Sequence, residues 1–158
     1  MAAARTQIIR LAQIADAQGI AEMSRDTIET GLPWRYRPAS MLRFIESRRH
    51  NVIVAEVDGA IAGFAVMGYG DDNAYLALLA VAPAWRRTGI ARQMLLWLLK
   101  TAEVAGVAGI NVELREDNTI ARQLYESLGF DETGHRPGGY YGVVNQIAMR
   151  LQLRPPTV

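Results

Sequence analysis

Residues 75–114 constrain the fold more than any other stretch. Tyr75–Val81, "YLALLAV", is an apolar run. Pro83 and "WRRTG" interrupt it, and apolar residues then recur at Ile90, Met94, Trp97 and Leu98. The first pattern is a strand and the second is one stripe of a helix. Because Tyr75–Val81 is apolar throughout, it reads as a strand covered on both faces. Gly106 stands where a helix C-cap is expected, and Ile110–Leu114 is again strand-like. Strand, helix and strand in this order form a β–α–β unit, so the chain belongs to the α/β class.

The flanking segments extend this unit. Thr6–Leu11 reads as a first strand, and Asp16 can cap a helix running to about Glu29. "TGLPWRYRP" holds Gly31, Pro33 and Pro38 and reads as a loop. Ala39–Arg49 suits a second helix with Leu42, Phe44 and Ile45 inward. Two β-rich runs flank Asp58-Gly59, a two-residue hairpin signal. After Ile110–Leu114, Asn118 starts a helix with Ile120, Leu124 and Leu128 inward, stopped by Gly129. Phe130–Gly134 and Gln146–Leu153 are late strands joined by a Gly- and Tyr-rich loop, and "RPPTV" is a frayed tail. The expected order is β α α β β β α β α β β. This is a mixed, mostly antiparallel sheet of about seven strands with about four helices, in one domain over residues 1–158.

Composition narrows the function. The net charge is +1, so no nucleic-acid or membrane partner is expected from charge. Cysteine is absent, which excludes disulfides, thiolate zinc sites and a cysteine nucleophile. His50 and His135 have no metal-motif spacing, so no metal is expected. Lys100 is the only lysine, and the other basic residues are arginine. That excess suits phosphate binding, and a GC-rich genome gives the same bias. "MAAARTQIIRLAQIADA" lacks a signal-peptide core, and no run reaches the roughly 18 apolar residues of a membrane span. The expectation is a cytoplasmic protein.

Two motifs can carry chemistry. Arg86–Ala91, "RRTGIA", lies between the buried strand and its helix. A helix start leaves backbone N–H groups unpaired and adds partial positive charge, which suits a phosphate. Gly89 has no Cβ to keep a ligand from the backbone, and Ala91 is nearly as small. Arg86, Arg87 and Arg92 add charge. Taken alone, the hexapeptide is equally an ordinary helix start with exposed arginines. No G-x-x-x-x-G-K-S/T and no G-x-G-x-x-G occurs, which argues against nucleotide and dinucleotide loops. The second motif is Asn118–Phe130, "NTIARQLYESLGF". Asn118, Ala121 and Tyr125 share one edge of its helix, leaving a groove between a polar cap and a tyrosine; Tyr125 alone is more often a half-buried packing residue.

Together the motifs resemble the GNAT superfamily of acyl-CoA-dependent N-acetyltransferases. Its pyrophosphate loop, Q/R-x-x-G-x-G/A, is matched at Arg86, Gly89 and Ala91. Its later helix, N-x-x-A-x-x-x-Y-x-x-x-G-F, is matched at Asn118, Ala121, Tyr125, Gly129 and Phe130. Within the superfamily, "VELREDNTIARQLYESLGF" and the Tyr140-Tyr141 pair are similar to bacterial ribosomal-protein-alanine N-acetyltransferases. The resemblance implies an acetyl-CoA co-substrate held by Arg86, Arg87, Thr88, Gly89, Ile90, Ala91 and Arg92, with Asn118 and Ala121. It implies a β-strand, Leu79, Ala80 and Val81, splayed from its neighbour by a bulge, whose backbone serves the oxyanion and the pantetheine arm. It also places a glutamate twelve residues before the tyrosine, and Glu113 fits.

Direct transfer needs a deprotonated amine, and a carboxylate can take the proton directly or through water. Glu113 is the first candidate base, provided that it faces the cleft, and Glu116 the second. Tyr125, protonated at neutral pH, can donate to the leaving thiolate. The loop aromatics Trp34, Tyr36, Tyr140 and Tyr141 can wall an acceptor cleft, pin loops or form a dimer face; monomer and homodimer both stay open. A protein N-terminus leads as acceptor, possibilities beside it being an amino acid, a polyamine or an aminoglycoside. Acids at Glu22, Asp26 and Glu29 keep a polycation open, and a non-catalytic acyl-CoA sensor is the reading from another class.

Overall fold

The strand order is β1-β2-β3-β4-β5-β7-β6 in a computed structural model that describes residues 7–155. The strands are β1 (Gln7–Leu11), β2 (His50–Val57), β3 (Ala60–Tyr69), β4 (Asn73–Val81), β5 (Gly109–Arg115), β6 (Asp131–Tyr140) and β7 (Val144–Gln152). The helices are α1 (Ala17–Thr27), α2 (Pro38–Glu46), α3 (Ile90–Ala105) and α4 (Thr119–Ser127), with short 3-10 turns at Ile14–Asp16 and Pro83–Trp85. The element order and the mixed, mostly antiparallel sheet are as the sequence suggests. Pairs β1–β2, β2–β3, β5–β7 and β6–β7 are antiparallel, and β4–β5 is parallel. Thr6 and residues 156–158 lie outside the described residues.

The chain divides into two units. The first comprises the segments up to Gly68 and Leu78–Leu99. Its core packs Ile20 and Ala21 of α1 and Met41 of α2 against Val52, Val54, Phe64, Val66, Leu78 and Ala80. Asp58 (φ 49°) and Gly59 (φ 84°) are both left-handed, the backbone of a type I′ hairpin turn. Asp16 does not cap α1 with its side chain. It acts one turn earlier, accepting from the Gln13 N–H at 2.7 Å and pairing with Arg10 at 2.8 Å.

The second unit comprises Tyr69–Ala77 and the segments from Lys100 onward. Here three expectations fail. β4 is not covered on both faces: Ala74 and Leu76 are buried, whereas Tyr75 is 52% exposed and Ala77 is exposed. Its side chains alternate as on any pleated strand, and apolar residues simply occupy both sides. α4 does not turn Ile120 inward, since Ile120 is 68% exposed and Tyr125 is the buried residue. Most of the loop expected between the two late strands also forms strand. β6 continues through Pro137 to Tyr140, with register shifts absorbing the irregular residues. Proline is tolerated there because β6 is the last strand in the order and its outer backbone needs no ladder partner.

Candidate active site

In the first unit, β4 leads through Pro83–Trp85 into the arginine loop. The Trp85 N–H bonds to Ala82 O at 2.9 Å, and the Thr88 hydroxyl donates to the Trp85 carbonyl. Arg87 (φ 63°) and Gly89 (φ 85°) take left-handed backbone conformations. Left-handed residues within such a turn make successive N–H groups converge into an anion-binding concavity. The first bond of α3 runs from the Gln93 N–H to Gly89 O at 3.0 Å, so the N–H groups of Ile90, Ala91 and Arg92 have no acceptor inside the helix. Ile90 is buried and anchors the turn, while Arg86, Arg87, Thr88, Gly89 and Arg92 are exposed and Ala91 is half-buried. Gly89 has a backbone reason to be glycine. A Cβ there would meet nothing within 4 Å, so its positive φ is what calls for glycine.

Sequence reading missed Gly63. A Cβ at this position in β3 would lie 2.8 Å from Ala80 O and 3.0 Å from Met94 Cε. Its absence allows the close approach of β4 and α3. Its sequence signal is a glycine inside a strand pattern, which marks such an approach. Leu79, Ala80 and Val81 lie beyond the β4–β5 ladder, which runs in unbroken register from Asn73↔Gly109 to Leu76↔Val112.

In the second unit, Asn118 caps α4: its Oδ1 accepts from the Ala121 N–H at 3.2 Å. At the other end, Phe130 N–H bonds to Tyr125 O and Gly129 N–H to Glu126 O, both at 3.0 Å. With Gly129 at φ 96°, this is a Schellman ending, whose hydrophobic contact is the Tyr125–Phe130 ring pair at 5.3 Å. The spacing Y-x-x-x-G-F is thus the signature of a helix end that fixes one tyrosine. Tyr125 is only 4% exposed. Burial, with a smaller contribution from the Tyr140 phenol, pushes its pKa well above the ordinary tyrosine value. Among the described residues every fully buried side-chain nitrogen or oxygen has a hydrogen-bond partner. Tyr125 Oη has no hydrogen-bond partner among the described residues and keeps only a trace of solvent exposure.

Glu113 lies on β5 between buried Val112 and Leu114 and is exposed. It pairs in register with Ala148 and has no hydrogen-bond or ion-pair partner among the described residues. Glu116 is engaged. It accepts from Asn145 Nδ2 at 2.7 Å and faces His135 Nε2 at 3.4 Å. The Asn145 hydrogen bond leads in holding its pKa below the ordinary value, followed by His135 and Arg122. Tyr140 is half-buried, and Tyr141 sits exposed at the hairpin tip with φ 52°.

Trp34 and Tyr36, in the first unit, belong to a structured loop. Trp34 Nε1 donates to Tyr36 O at 3.1 Å, and Arg25 and Arg37 lie over its ring at 5.2 and 4.8 Å. Glu29 is buried and accepts from the N–H groups of Arg35 and Tyr36 and from Ser24 Oγ. Asp26 pairs with Arg25 at 2.8 Å. Glu22 accepts from Gln18 Nε2 at 2.7 Å, so all three acids considered for a polycation have internal partners. No group of three or more His, Asp or Glu placed to hold a metal occurs among the described residues. None of their helices is long and apolar enough to cross a membrane.

The helix start in the first unit is shaped for an anion and the second unit holds a buried tyrosine, and each suits a CoA-dependent acyltransferase. The chain belongs to the acetyltransferase (GNAT) family, which matches residues 18–130. It is 33% identical over 142 residues to the N-alpha-acetyltransferase RimI of Mycobacterium tuberculosis, covering 87% of this chain and 86% of that one. It is also 33% identical over 109 residues to the [ribosomal protein bS18]-alanine N-acetyltransferase of Haemophilus ducreyi, covering 69% and 73%. The crystal structure of the ribosomal-protein-S18-alanine N-acetyltransferase from Escherichia coli superposes with a TM-score of 0.84 at 27% identity, over 96% of this chain and 97% of that one. The chain is accordingly an N-acetyltransferase with acetyl-CoA as donor.

Proposed function

We propose that the acceptor is the N-terminal α-amine of a protein, in a bacterial cytoplasm, with a ribosomal protein as the leading candidate. The observation that carries this reading is the likeness, over most of the chain, to enzymes named for alanine or N-alpha acetylation. Residues 1–158 serve as one catalytic domain, since the family match crosses both units.

The arginine loop holds the pyrophosphate of acetyl-CoA through the N–H groups of residues 88–92, with Arg86, Arg87 and Arg92 as supporting charge. Backbone groups of Leu79, Ala80 and Val81, beyond the ladder with β5, bond the pantetheine arm and stabilise the oxyanion of the tetrahedral intermediate. Asn118 and Ala121 border the donor at the head of α4.

An α-amine has a pKa of about 8, so near neutral pH a base needs to remove only one readily lost proton. Glu113 takes it, directly or through a water. Glu116 is the poorer base, because its partners stabilise the carboxylate and lower its proton affinity. The free amine attacks the thioester carbonyl, the intermediate collapses, and the C–S bond breaks. Tyr125 gives its proton to the departing sulfur. Its raised pKa keeps it protonated throughout the working range. Trp34, Tyr36, Tyr140 and Tyr141 border the acceptor.

The test is CoA thiol release with acetyl-CoA against peptides bearing a free N-terminal alanine, beside amino acids, polyamines and aminoglycosides. Peptide turnover that vanishes when the α-amine is blocked is the expected result. Turnover confined to a small amine overturns the acceptor, and tight CoA binding with no turnover favours a sensor.

A further inference from the structure

Charge is unevenly placed in this chain. Residues 30–50 hold five arginines and one glutamate, a local excess of +4 in a protein of net charge +1. Arg35, Tyr36, Ser40, Arg43 and Phe44 line a groove where the α1–α2 loop meets α2. Arg35 lies over the Tyr36 ring at 5.7 Å, and Arg43 Nη2 reaches Ser40 Oγ at 3.4 Å. Neither guanidinium has an acidic partner among the described residues. This contrasts with Arg10, Arg25, Arg115 and Arg122, each paired with a carboxylate at 3.1 Å or less. The groove is firmly built. Buried Glu29 holds the backbone N–H groups of Arg35 and Tyr36 at 2.6 and 3.1 Å, and Tyr36 packs on Phe44 at 6.1 Å.

We propose that this groove binds an acidic side chain of a peptide. Two guanidiniums and a hydroxyl offer charged, directional donors to one carboxylate, and the aromatic rings cover its aliphatic stem. The start of α2 at Pro38 adds potential of the same sign. Five residues line the groove, two of them arginines, and so short a site suits a single carboxylate better than a tracked phosphate backbone. Resting on the reading of a peptide acceptor, the inference is that acceptors with glutamate or aspartate just after the acetylated residue are preferred.

The experiment compares peptides with N-terminal alanine followed by Glu, Gln or Lys at positions 2–4. The enzymes are wild type, the double variant Arg35→Ala/Arg43→Ala and a control, Arg48→Ala/Arg49→Ala. For wild type, the Glu peptides should show a KM about tenfold below the Gln peptides, a gap that closes with salt as screening grows. The groove variant should lose the gap and the control should keep it. Unchanged acetyl-CoA affinity and melting temperature show that the variant is folded. Equal KM for Glu and Gln peptides in wild type, or a gap that survives in the groove variant, overturns the proposal. So does a short RNA that binds through the same arginines more tightly than the Glu peptide. Should no peptide be acetylated, the acceptor reading fails separately. The groove is then judged by anisotropy of labelled Glu and Gln peptides, and Arg35/Arg43-dependent binding of the Glu peptide alone sustains it.

Discussion

Tyr125 and Glu113 meet opposite environments, and each suits the role proposed for it. The Tyr125 ring is enclosed by its own helix end and by Phe130 and is almost wholly buried. Such a group is a weak acid in bulk, so its contribution is placement. Tyr125→Phe keeps the ring and removes only the proton donor. It should lower kcat about 100-fold, the lower range for acid–base assistance, with the acetyl-CoA dissociation constant nearly unchanged. An unchanged kcat removes Tyr125 from the reaction. Glu113 is exposed and has no partner among the described residues, whereas Glu116 already serves Asn145 and His135. Glu113→Gln should lower kcat on an N-terminal alanine peptide about 100-fold near pH 7. The loss should shrink toward pH 9, where solvent has already deprotonated an amine of pKa about 8. Glu116→Gln should stay within about twofold. The reverse ranking in a pH–rate series assigns the base to Glu116.

At the scale of elements, glycine geometry positions the loop proposed to hold the donor. Gly89 holds φ 85° before α3, and Gly63 clears the way for Ala80 and Met94. Gly89→Ala introduces left-handed strain of about 1–2 kcal/mol in the loop that cradles phosphate. It should therefore raise the KM for acetyl-CoA more than it lowers the melting temperature. Gly63→Ala forces a Cβ against a backbone carbonyl at 2.8 Å. It should cost about 1–3 kcal/mol in denaturant unfolding and also weaken acetyl-CoA binding, since Ala80 must move. A KM effect from neither substitution would detach this loop from the donor. These elements were legible because strand, glycine and amphipathic helix follow one another without ambiguity. α4 was legible in place but not in phase. Ile120, Leu124 and Leu128 sweep about 80° around a helix, whereas Ala121, Tyr125 and Leu128 fall within about 60°, so the narrower face is the buried one. An apolar residue at Ile120 could not reveal this, because apolar side chains also occur on surfaces. The alternation of β4 was hidden for the same reason. The loop from Gly31 to Arg37 was unreadable because its order comes from the buried Glu29 carboxylate, a contact across several residues that no periodicity encodes.

For the molecule as a whole, the perturbed groups set a stability window in pH with different owners at each end. Asp16 has a folded pKa below its ordinary value, chiefly through the Arg10 hydrogen bond and further through the Gln13 N–H, against an opposing desolvation effect. Its stabilisation is present above the unfolded value near 3.9 and is lost as pH falls through the folded one. Asp117 and Glu116 act in the same direction, led by Arg115 and Asn145 respectively. Tyr125 works at the other end. Its folded pKa is raised, so its contribution is present in full below the unfolded value near 10. It disappears as pH rises further, because the unfolded chain releases a proton that the buried phenol retains. Melting curves of wild type, Asp16→Asn and Tyr125→Phe from pH 3 to 11 separate the two ends. The deficit of Asp16→Asn relative to wild type should narrow below about pH 4. Above about pH 10, the wild type should lose melting temperature more steeply than Tyr125→Phe, which has no phenol to ionise. Parallel alkaline slopes for these two proteins would mean that the phenol is hydrated in the folded chain, and the buried proton donor would have to be sought elsewhere.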